Sequence, residues 1–208
     1  MRVLVACEES QTVCRAFRQL GHESYSCDIL ECSGGHPEWH IQDDVLNHLD
    51  DGWDLMIAHP PCTYLSNSGV CWLNNNPERI IEMKNGAVFF RTLFNADIPL
   101  KAIENPIMHK YAIEIIGRRQ DQVIQPYMFG HPERKATCLW LVNLPKLKPT
   151  YDVKEQMDKL PKSISQRIHY TSPGKDRARI RSKTFQGIAE AMANQWGTLK
   201  TEDIKETL

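Results

Sequence analysis

Short apolar runs alternate with segments of helical periodicity over the first half of the chain, and this alternation limits the possible folds more than any other feature. Strands are predicted at Arg2 to Ala6, Tyr25 to Ile29, Asp54 to Ala58 and Ile98 to Ile103. Such alternation favours an α/β fold with a mostly parallel, doubly wound sheet. In such sheets ligands bind at the carboxyl ends of the strands.

Two helices between these strands show apolar residues at helical spacing. The first is predicted to begin after Ser10 as N-cap and to end at Gly21. The second has Pro77 at its first position. The residues expected to share the buried faces are Val13, Phe17 and Leu20 in the first helix, and Ile80, Ile81, Val88, Phe89 and Leu93 in the second.

The pattern changes after Glu104. The predicted order is a helix from Tyr111 to Ile116, an antiparallel strand pair formed by Val123 to Tyr127 and Ala136 to Val142, and a last helix from about Thr184 to Trp196. Residues 146–183 have weak periodicity and many Lys, Arg, Ser and Pro residues, which indicates a surface insertion. The last helix is expected to pack through Ile188, Ala191 and Met192.

A chain of 208 residues can bury one good core but not two full domains. We therefore expect one catalytic domain made of residues 1–145 and 184–197, a small basic insertion at 146–183 and a polar tail at 198–208. No apolar run approaches the roughly 20 residues that a membrane span needs. The chain starts on a strand without the features of a signal peptide, and its seven cysteines show no framework spacing, so a cytoplasmic protein with reduced thiols is expected.

The net charge of −1 hides a difference between two parts of the chain. Residues 1–57 contain three Arg and eleven Asp or Glu, whereas residues 146–183 contain eleven Lys or Arg and four acids. A basic segment of this kind attracts a phosphate-bearing substrate. A solvated lysine-rich loop explains the same charge pattern equally well.

The segment from Asp54 to Gly69 is chemically the most informative, because a buried strand leads directly into Pro60-Pro61-Cys62. The two prolines end the strand and hold the cysteine thiol on a stiff loop. The strand from Ile98 ends similarly, in Glu104-Asn105-Pro106. A nucleophile and an acid on neighbouring strand ends indicate covalent catalysis.

These motifs resemble those of the DNA cytosine-5 methyltransferases, in particular the short members encoded by bacteriophages and prophages. The family's Pro-Cys loop is similar to Pro61-Cys62, with Ser66 and Gly69 at the downstream positions, and its Glu-Asn-Val motif is similar to Glu104-Asn105-Pro106. The segment Phe129 to Trp140 resembles the family's Gly-x-Pro-Gln-x-Arg-x-Arg strand, with Lys135 at the first arginine and Thr137 at the second. Amino-group methyltransferases instead end the first of these strands in Pro-Pro-Tyr or a relative.

The resemblance implies a Rossmann-like S-adenosylmethionine-dependent methyltransferase fold and a set of site residues. It implies catalytic roles for Cys62, Glu104, Lys135 and Arg134. The implied contacts to S-adenosylmethionine are Ala6, Cys7, Glu8, Glu9, Asp28, Ile29, Asp44, Val45, Pro60, Ser182 and Thr184. The implied contacts to the substrate, double- or single-stranded DNA, are Pro61, Ser66, Asn105, Arg177, Arg179 and Arg181.

The chain departs from the family at three places. One is Thr137, which stands at the second arginine, and the hypothesis is that Arg134 or an arginine of the run Arg177 to Arg181 replaces that base contact. The turn after the first strand reads Ala6-Cys7-Glu8-Glu9-Ser10 and lacks the family's glycines. Fewer than 40 residues stand where the family has a target recognition domain, so a short or relaxed sequence preference is expected. The implied mechanism is addition of the Cys62 thiolate to carbon 6 of cytosine, supported by Glu104. It requires a raised pKa for Glu104, in a dry site, and a lowered pKa for Cys62, with Lys135 as a nearby cation.

Four other interpretations remain open from the sequence. Cys27, Cys32, His36 and His40 have a spacing that loosely resembles a zinc cluster, although we expect no metal. Cys62 with His59 or His131 as base would suit a cysteine hydrolase. The chain can also be a catalytically inactive relative that binds nucleic acid. Finally, the same chemistry can act on a nucleotide or on RNA.

Overall fold

A computed structural model describes residues 1–73, 76–174 and 177–199. Within these residues seven strands form one sheet: β1 Arg2–Ala6, β2 Glu23–Asp28, β3 His40–Gln42, β4 Leu55–Ala58, β5 Leu100–Asn105, β6 Gln122–Ile124 and β7 Thr137–Val142. The α-helices are α1 Thr12–Gln19, α2 Pro77–Asn95, α3 Lys110–Ile116, α4 Lys154–Asp158, α5 Lys162–Ser165, α6 Arg177–Ser182 and α7 Gln186–Trp196. Short 3-10 helices lie at Pro37–Trp39, Val45–His48, Asn67–Trp72 and Pro126–Met128.

The strand order is β3-β2-β1-β4-β5-β7-β6. Strands β1 to β5 are parallel, and β7 runs antiparallel to both of its neighbours, β5 and β6. The order reverses between β1 and β4, which makes the carboxyl ends of these two strands the switch point where such sheets bind ligands. The predicted fold class, a mostly parallel doubly wound sheet with an antiparallel carboxyl-terminal strand pair, is confirmed.

Both faces of the sheet are covered by helices, which explains why β4 and the middle of β1 are wholly apolar. Helices α1 and α7 pack on one face, through Val13, Phe17, Ile188 and Met192 among others. Helices α2 and α3 pack on the other face, where Phe90 lies edge-on to Trp140 of β7. The expected packing of Ile188, Ala191 and Met192 is confirmed.

The helix predictions need three corrections. Gln11, not Ser10, is the N-cap of α1, and it adopts a left-handed backbone conformation. Leu20 is exposed because α1 has already ended at Gln19. In α2 the buried residues are Met83, Ala87, Phe90 and Leu93, whereas Ile80, Ile81 and Val88 are exposed. Apolar residues occur on more than one face of α2, so helical spacing alone did not identify the face that packs on the sheet.

The segment 146–183 is only partly a surface insertion. It contains α4, α5 and α6, and its residues Leu147, Val153, Met157 and Ile168 are buried, contrary to the surface prediction. Leu147 joins the core cluster beneath α1 and α7. The domain boundaries themselves stay a prediction, and residues 200–208 of the expected polar tail lie outside the described residues. Among the helices of the described ranges, none combines the length and apolar character that a bilayer crossing requires.

Candidate active site at the carboxyl edge of the sheet

Three strand ends bring the predicted catalytic residues together. Cys62 follows β4, Glu104 is the next-to-last residue of β5, and the two strands are adjacent in the sheet. Because β7 is antiparallel to β5, the start of β7 lies beside the end of β5, and Cys138 pairs with Asn105. The chain just before β7 therefore brings Lys135 next to Glu104, and the two line one cavity with Thr137, Thr184 and Phe185.

The loop that presents Cys62 is held by hydrogen bonds to the segment after β5. The Asn105 side-chain amide donates to the Pro60 carbonyl at 2.9 Å. Farther on, the Asn67 N–H donates to the Ile107 carbonyl at 2.9 Å, and the His109 N–H donates to the Leu65 carbonyl at 3.1 Å. The two strand ends thus form one rigid frame. Asn105 belongs to this frame, and so does Ser66, which forms an antiparallel β-bridge with Met108.

The Glu104 carboxyl group is buried and hydrogen-bonded to a histidine. Its side chain is 11% exposed, and its Oε2 accepts a hydrogen bond from Nδ1 of His59 at 2.9 Å. Burial alone would raise the pKa of Glu104, but the His59 hydrogen bond and the positive charge of Lys135 together lower it. The burial expected for Glu104 is present, whereas the raised pKa expected for it is wrong. Sequence reasoning did not anticipate the His59 donor.

The Cys62 thiol is half-buried, and its pKa is raised rather than lowered. Burial is the main cause, and the negative charge of Glu104 adds to it. Lys135 and Arg181 act in the opposite direction but do not outweigh these effects. The predicted lowering of the pKa of Cys62 is therefore wrong, although the predicted cation, Lys135, acts on it as expected.

Substitutions of the two charged neighbours should move the reactivity of Cys62 in opposite directions. We expect Glu104→Gln to speed alkylation of Cys62 by iodoacetamide roughly tenfold at a fixed, mildly alkaline pH, because loss of the carboxylate lowers the thiol pKa. Lys135→Met should slow the reaction by a similar factor. Peptide mass spectrometry separates Cys62 from the exposed Cys71. Changes of the same sign in both variants would contradict this electrostatic account.

The turn after β1 makes sharp bends without glycine. Cys7 has φ 59° and Gln11 has φ 56°, both in the left-handed region that glycine usually occupies. Glu8 is buried, and its two carboxylate oxygens accept from the N–H groups of Val13 and Cys14, at 2.7 and 3.1 Å. Glu8 therefore caps α1 from the side, in place of an N-cap side chain. Its role toward a cofactor stays a prediction, as do those of Ala6, Cys7 and Glu9.

The Cys32–His36 loop is fastened to this turn. Gln11 is fully buried, its amide nitrogen donates to the His36 carbonyl at 2.8 Å, and its amide oxygen accepts from the His36 N–H at 3.1 Å. Cys32 Sγ donates to the same oxygen, and Ser33 is hydrogen-bonded to Glu9. A Cβ atom on Gly34 would lie 2.4 Å from the Cβ of Gln11, so only glycine fits there. The buried Gln11 was not identified from the sequence, because nothing in its local pattern distinguishes it from a surface glutamine.

The predicted cofactor residues of the next strands lie at the same edge of the sheet. Asp28 ends β2, and one of its oxygens accepts from the Leu30 N–H at 2.9 Å. Ile29 is 73% exposed, which is unusual for isoleucine. Asp44 caps the 3-10 helix Val45–His48 through the Leu46 N–H, and Val45 is buried beneath it. Of the other cofactor predictions, Pro60 precedes Pro61 on the Cys62 loop, and Thr184 lines the Glu104 cavity.

The basic helix α6 lies near the candidate nucleophile. The charge of Arg181 acts on the pKa of Cys62, which places this end of α6 close to the thiol. Ser182 is exposed and donates to the Arg179 carbonyl, and Arg177 begins the helix. Arg134, by contrast, forms an exposed ion pair with Asp158 at 2.6 Å, so the structure does not bring it together with Glu104. Among the predicted basic residues, Lys135 and Arg181 both lower the pKa of Cys62.

The residues of the alternative interpretations have other partners. In the described part of the chain no three Cys, His, Asp or Glu side chains come together to bind a metal. His40 is hydrogen-bonded to Ser26 and to the Leu30 carbonyl, and Cys32 to Gln11. For a hydrolase, His59 is bound to Glu104 and His131 accepts from the Gly187 N–H. Within the described residues neither histidine is hydrogen-bonded to Cys62.

Comparisons with known proteins add little beyond these observations. No protein-family model matches the chain, and no curated protein matches it. Among solved structures that match is that of an E. coli prophage-encoded protein, named as a candidate DNA modification methyltransferase. The two share 15% sequence identity with a TM-score of 0.46, over 77% of this chain. The chain spans about half, 55%, of the length of that protein.

Proposed function

We propose that this protein is an S-adenosylmethionine-dependent methyltransferase that acts on carbon 5 of cytosine in DNA. One observation carries the proposal. A half-buried thiol, Cys62, and a buried carboxyl group, Glu104, lie on adjacent strand ends close enough for the charge of one to shift the pKa of the other. Lys135 faces both groups. This is the set of groups that covalent activation of a pyrimidine ring requires.

Carbon 5 of cytosine becomes nucleophilic only when the aromaticity of the ring is lost for a time. The Cys62 sulfur adds to carbon 6, and a new S–C bond forms as the C5–C6 double bond opens. Glu104 donates the proton that N3 gains in this step. After carbon 5 is methylated it loses its proton, the S–C bond breaks, and the ring is restored.

The charges of Glu104 and Cys62 are coupled, so the proton that the thiol loses in this step can move to the carboxylate. The ionised Glu104 disfavours the thiolate, so protonation of Glu104 favours it. A proton that leaves Cys62 and arrives on Glu104 leaves the total charge of the site unchanged. A base that enters the site excludes water, and such burial raises the pKa of the carboxyl group as it raises that of the thiol, so the proton can be shared between the two groups. The proton lost by the thiol is then the one that Glu104 passes to N3.

The carboxyl edge of β1, β2 and β3 suits the methyl donor. Asp28 offers a carboxylate for a ribose hydroxyl, and the exposed Ile29 offers an apolar surface for an adenine ring. Asp44 lies beyond them. These residues would hold S-adenosylmethionine together with the turn at Cys7. When bound, it supplies an electrophilic methyl group.

The DNA substrate is proposed from the charge around the site. Arg181 acts on the electrostatics of Cys62, and it belongs to the basic segment 146–183, which has eleven cations and four acids. Such a segment binds phosphates without reading sequence, which agrees with a short or relaxed preference. A cytosolic location is part of the same proposal, since all seven cysteines are free.

The deciding experiment measures transfer of tritiated methyl groups from S-adenosylmethionine to duplex DNA, single-stranded DNA, RNA and dCTP in parallel. Hydrolysis of the product and chromatography then identify the methylated base. We expect label in DNA, as 5-methylcytosine. Label in RNA or dCTP alone would contradict the DNA substrate, and N4-methylcytosine or N6-methyladenine would contradict the ring-carbon chemistry.

A further inference from the structure

His59 has one nitrogen bound inside the site and one that has no partner in the protein. Nδ1 donates to Oε2 of Glu104 at 2.9 Å, and a carboxylate can only accept, so the proton is on Nδ1. Nε2 is buried and makes no hydrogen bond within the described residues. The His59 side chain is 10% exposed, so the ring is nine-tenths buried. A buried, unpartnered ring nitrogen carries a desolvation cost unless a ligand satisfies it.

The position of His59 in the sheet indicates which ligand Nε2 meets. Its backbone N–H donates to the carbonyl of Ala6 at 2.9 Å, so it lies beside Cys7 at the switch point between β1 and β4. One side of this point holds the turn proposed for the methyl donor, and the other holds Glu104. His59 is hydrogen-bonded on both sides, to Ala6 through its backbone and to Glu104 through its ring.

The charged groups around His59 come from four parts of the chain. Glu104 faces it from β5, and Glu8 faces it from the turn after β1, where the charge of His59 acts to lower a Glu8 pKa that burial raises. Lys135 precedes β7 and Cys62 follows β4, and both interact electrostatically with Glu104. The ring therefore interacts with two buried carboxyl groups, Glu104 through a hydrogen bond and Glu8 through its charge.

We propose that His59 is a positioning residue with two separable contacts: Nδ1–H holds Oε2 of Glu104 so that Oε1 faces the target base, and Nε2 binds the methyl donor. This inference rests on the proposed function and assigns a residue to it. The first contact governs the rate of the chemical step. The second governs affinity for S-adenosylmethionine and for its product, S-adenosylhomocysteine.

Two amide substitutions separate the contacts, because each amide reproduces one edge of the ring. In His59→Asn the side-chain N–H₂ reaches the place of Nδ1 and donates as that nitrogen does, and in His59→Gln the amide oxygen can reach the place of Nε2 and accept as that nitrogen does. We expect His59→Asn to keep the single-turnover methyl-transfer rate within about threefold and to bind S-adenosylhomocysteine roughly tenfold more weakly in calorimetry. His59→Gln should bind it as the unchanged protein does and transfer methyl groups about 100-fold more slowly.

The outcomes distinguish this inference from the proposed function. If the unchanged protein binds S-adenosylhomocysteine but methylates no substrate, the proposed function fails and the affinity difference still tests Nε2. Equal effects of both substitutions on rate and affinity would show a purely structural role and overturn the inference. Should either variant unfold, ¹⁵N-histidine NMR of the unchanged protein decides. The His59 Nε2 resonance must shift when S-adenosylhomocysteine is added, and a constant resonance overturns the proposal.

Discussion

Cys62→Ala should abolish methyl transfer, with a loss of at least ~10³-fold, the order that removal of a nucleophile brings. The physical reason is that neither Glu104 nor Lys135 can add to carbon 6, so carbon 5 stays unreactive. The same substitution should remove the covalent complex with DNA that contains 5-fluorocytosine. Fluorine cannot leave carbon 5 as a proton does, so the S–C bond to Cys62 persists and is visible as a slow band after denaturing electrophoresis.

Cys71 provides the matched control for this experiment. It is an exposed thiol in the 3-10 helix Asn67–Trp72, nine residues after Cys62 on the same loop. Cys71→Ala should leave both the rate and the covalent complex unchanged. A covalent complex that survives in Cys62→Ala, or is lost in Cys71→Ala, would show that the nucleophile has been assigned to the wrong residue.

Gly187→Ala should give the largest loss of stability among single-methyl changes, about 3 kcal/mol in the free energy of unfolding. A Cβ atom at this position would lie 2.0 Å from the backbone carbonyl oxygen of Phe129. Backbone cannot rotate away as a side chain can. The Gly187 N–H also donates to Nε2 of His131 at 2.9 Å, so separation of α7 from this segment would break that hydrogen bond as well. Urea denaturation followed by circular dichroism measures the change.

Gly86→Ala should change the free energy of unfolding in the opposite direction in the same assay. Gly86 lies inside α2, and an added Cβ atom would make ordinary contact with Leu65, at 3.5 Å. Alanine in a helix interior reduces the conformational freedom of the unfolded chain, so we expect stabilisation of about 0.5–1 kcal/mol. If Gly187→Ala proved as mild as this control, the close approach of α7 to Phe129 would be contradicted.

The burial of Glu104 and the ring of His59 show why pKa values were not predictable from the motif. The sequence places Glu104 at a strand end, where a dry environment would raise its pKa. His59 is 45 residues away in the chain and reaches Glu104 only because β4 and β5 are adjacent. Its hydrogen bond and the charge of Lys135 together lower the pKa of Glu104, and the resulting carboxylate adds to the burial that raises the pKa of Cys62. Both errors come from contacts between residues that are distant in sequence.

The missing glycines after β1 give a second example. The family pattern has glycines in this turn, and glycine adopts left-handed conformations at low cost. In this chain Cys7 and Gln11 adopt those conformations instead. The surrounding contacts compensate for the local cost. Glu8 caps α1, and Gln11 is hydrogen-bonded to the Cys32–His36 loop. Such contacts join residues from separate elements, so a local pattern contains no sign of them.

Hydrophobic alternation, proline positions and the order of motifs determined the parallel sheet, its antiparallel end and the strand ends that hold Cys62 and Glu104. These are properties of local runs of residues, since strand burial and helix starts depend on periodicity and chain stiffness. Only the tertiary structure decided which face of α2 is buried, what Gln11 and Glu8 hold, and which proton donor meets Glu104. Those outcomes depend on side chains that are distant in sequence and meet only after the sheet has formed, so no local run encodes them.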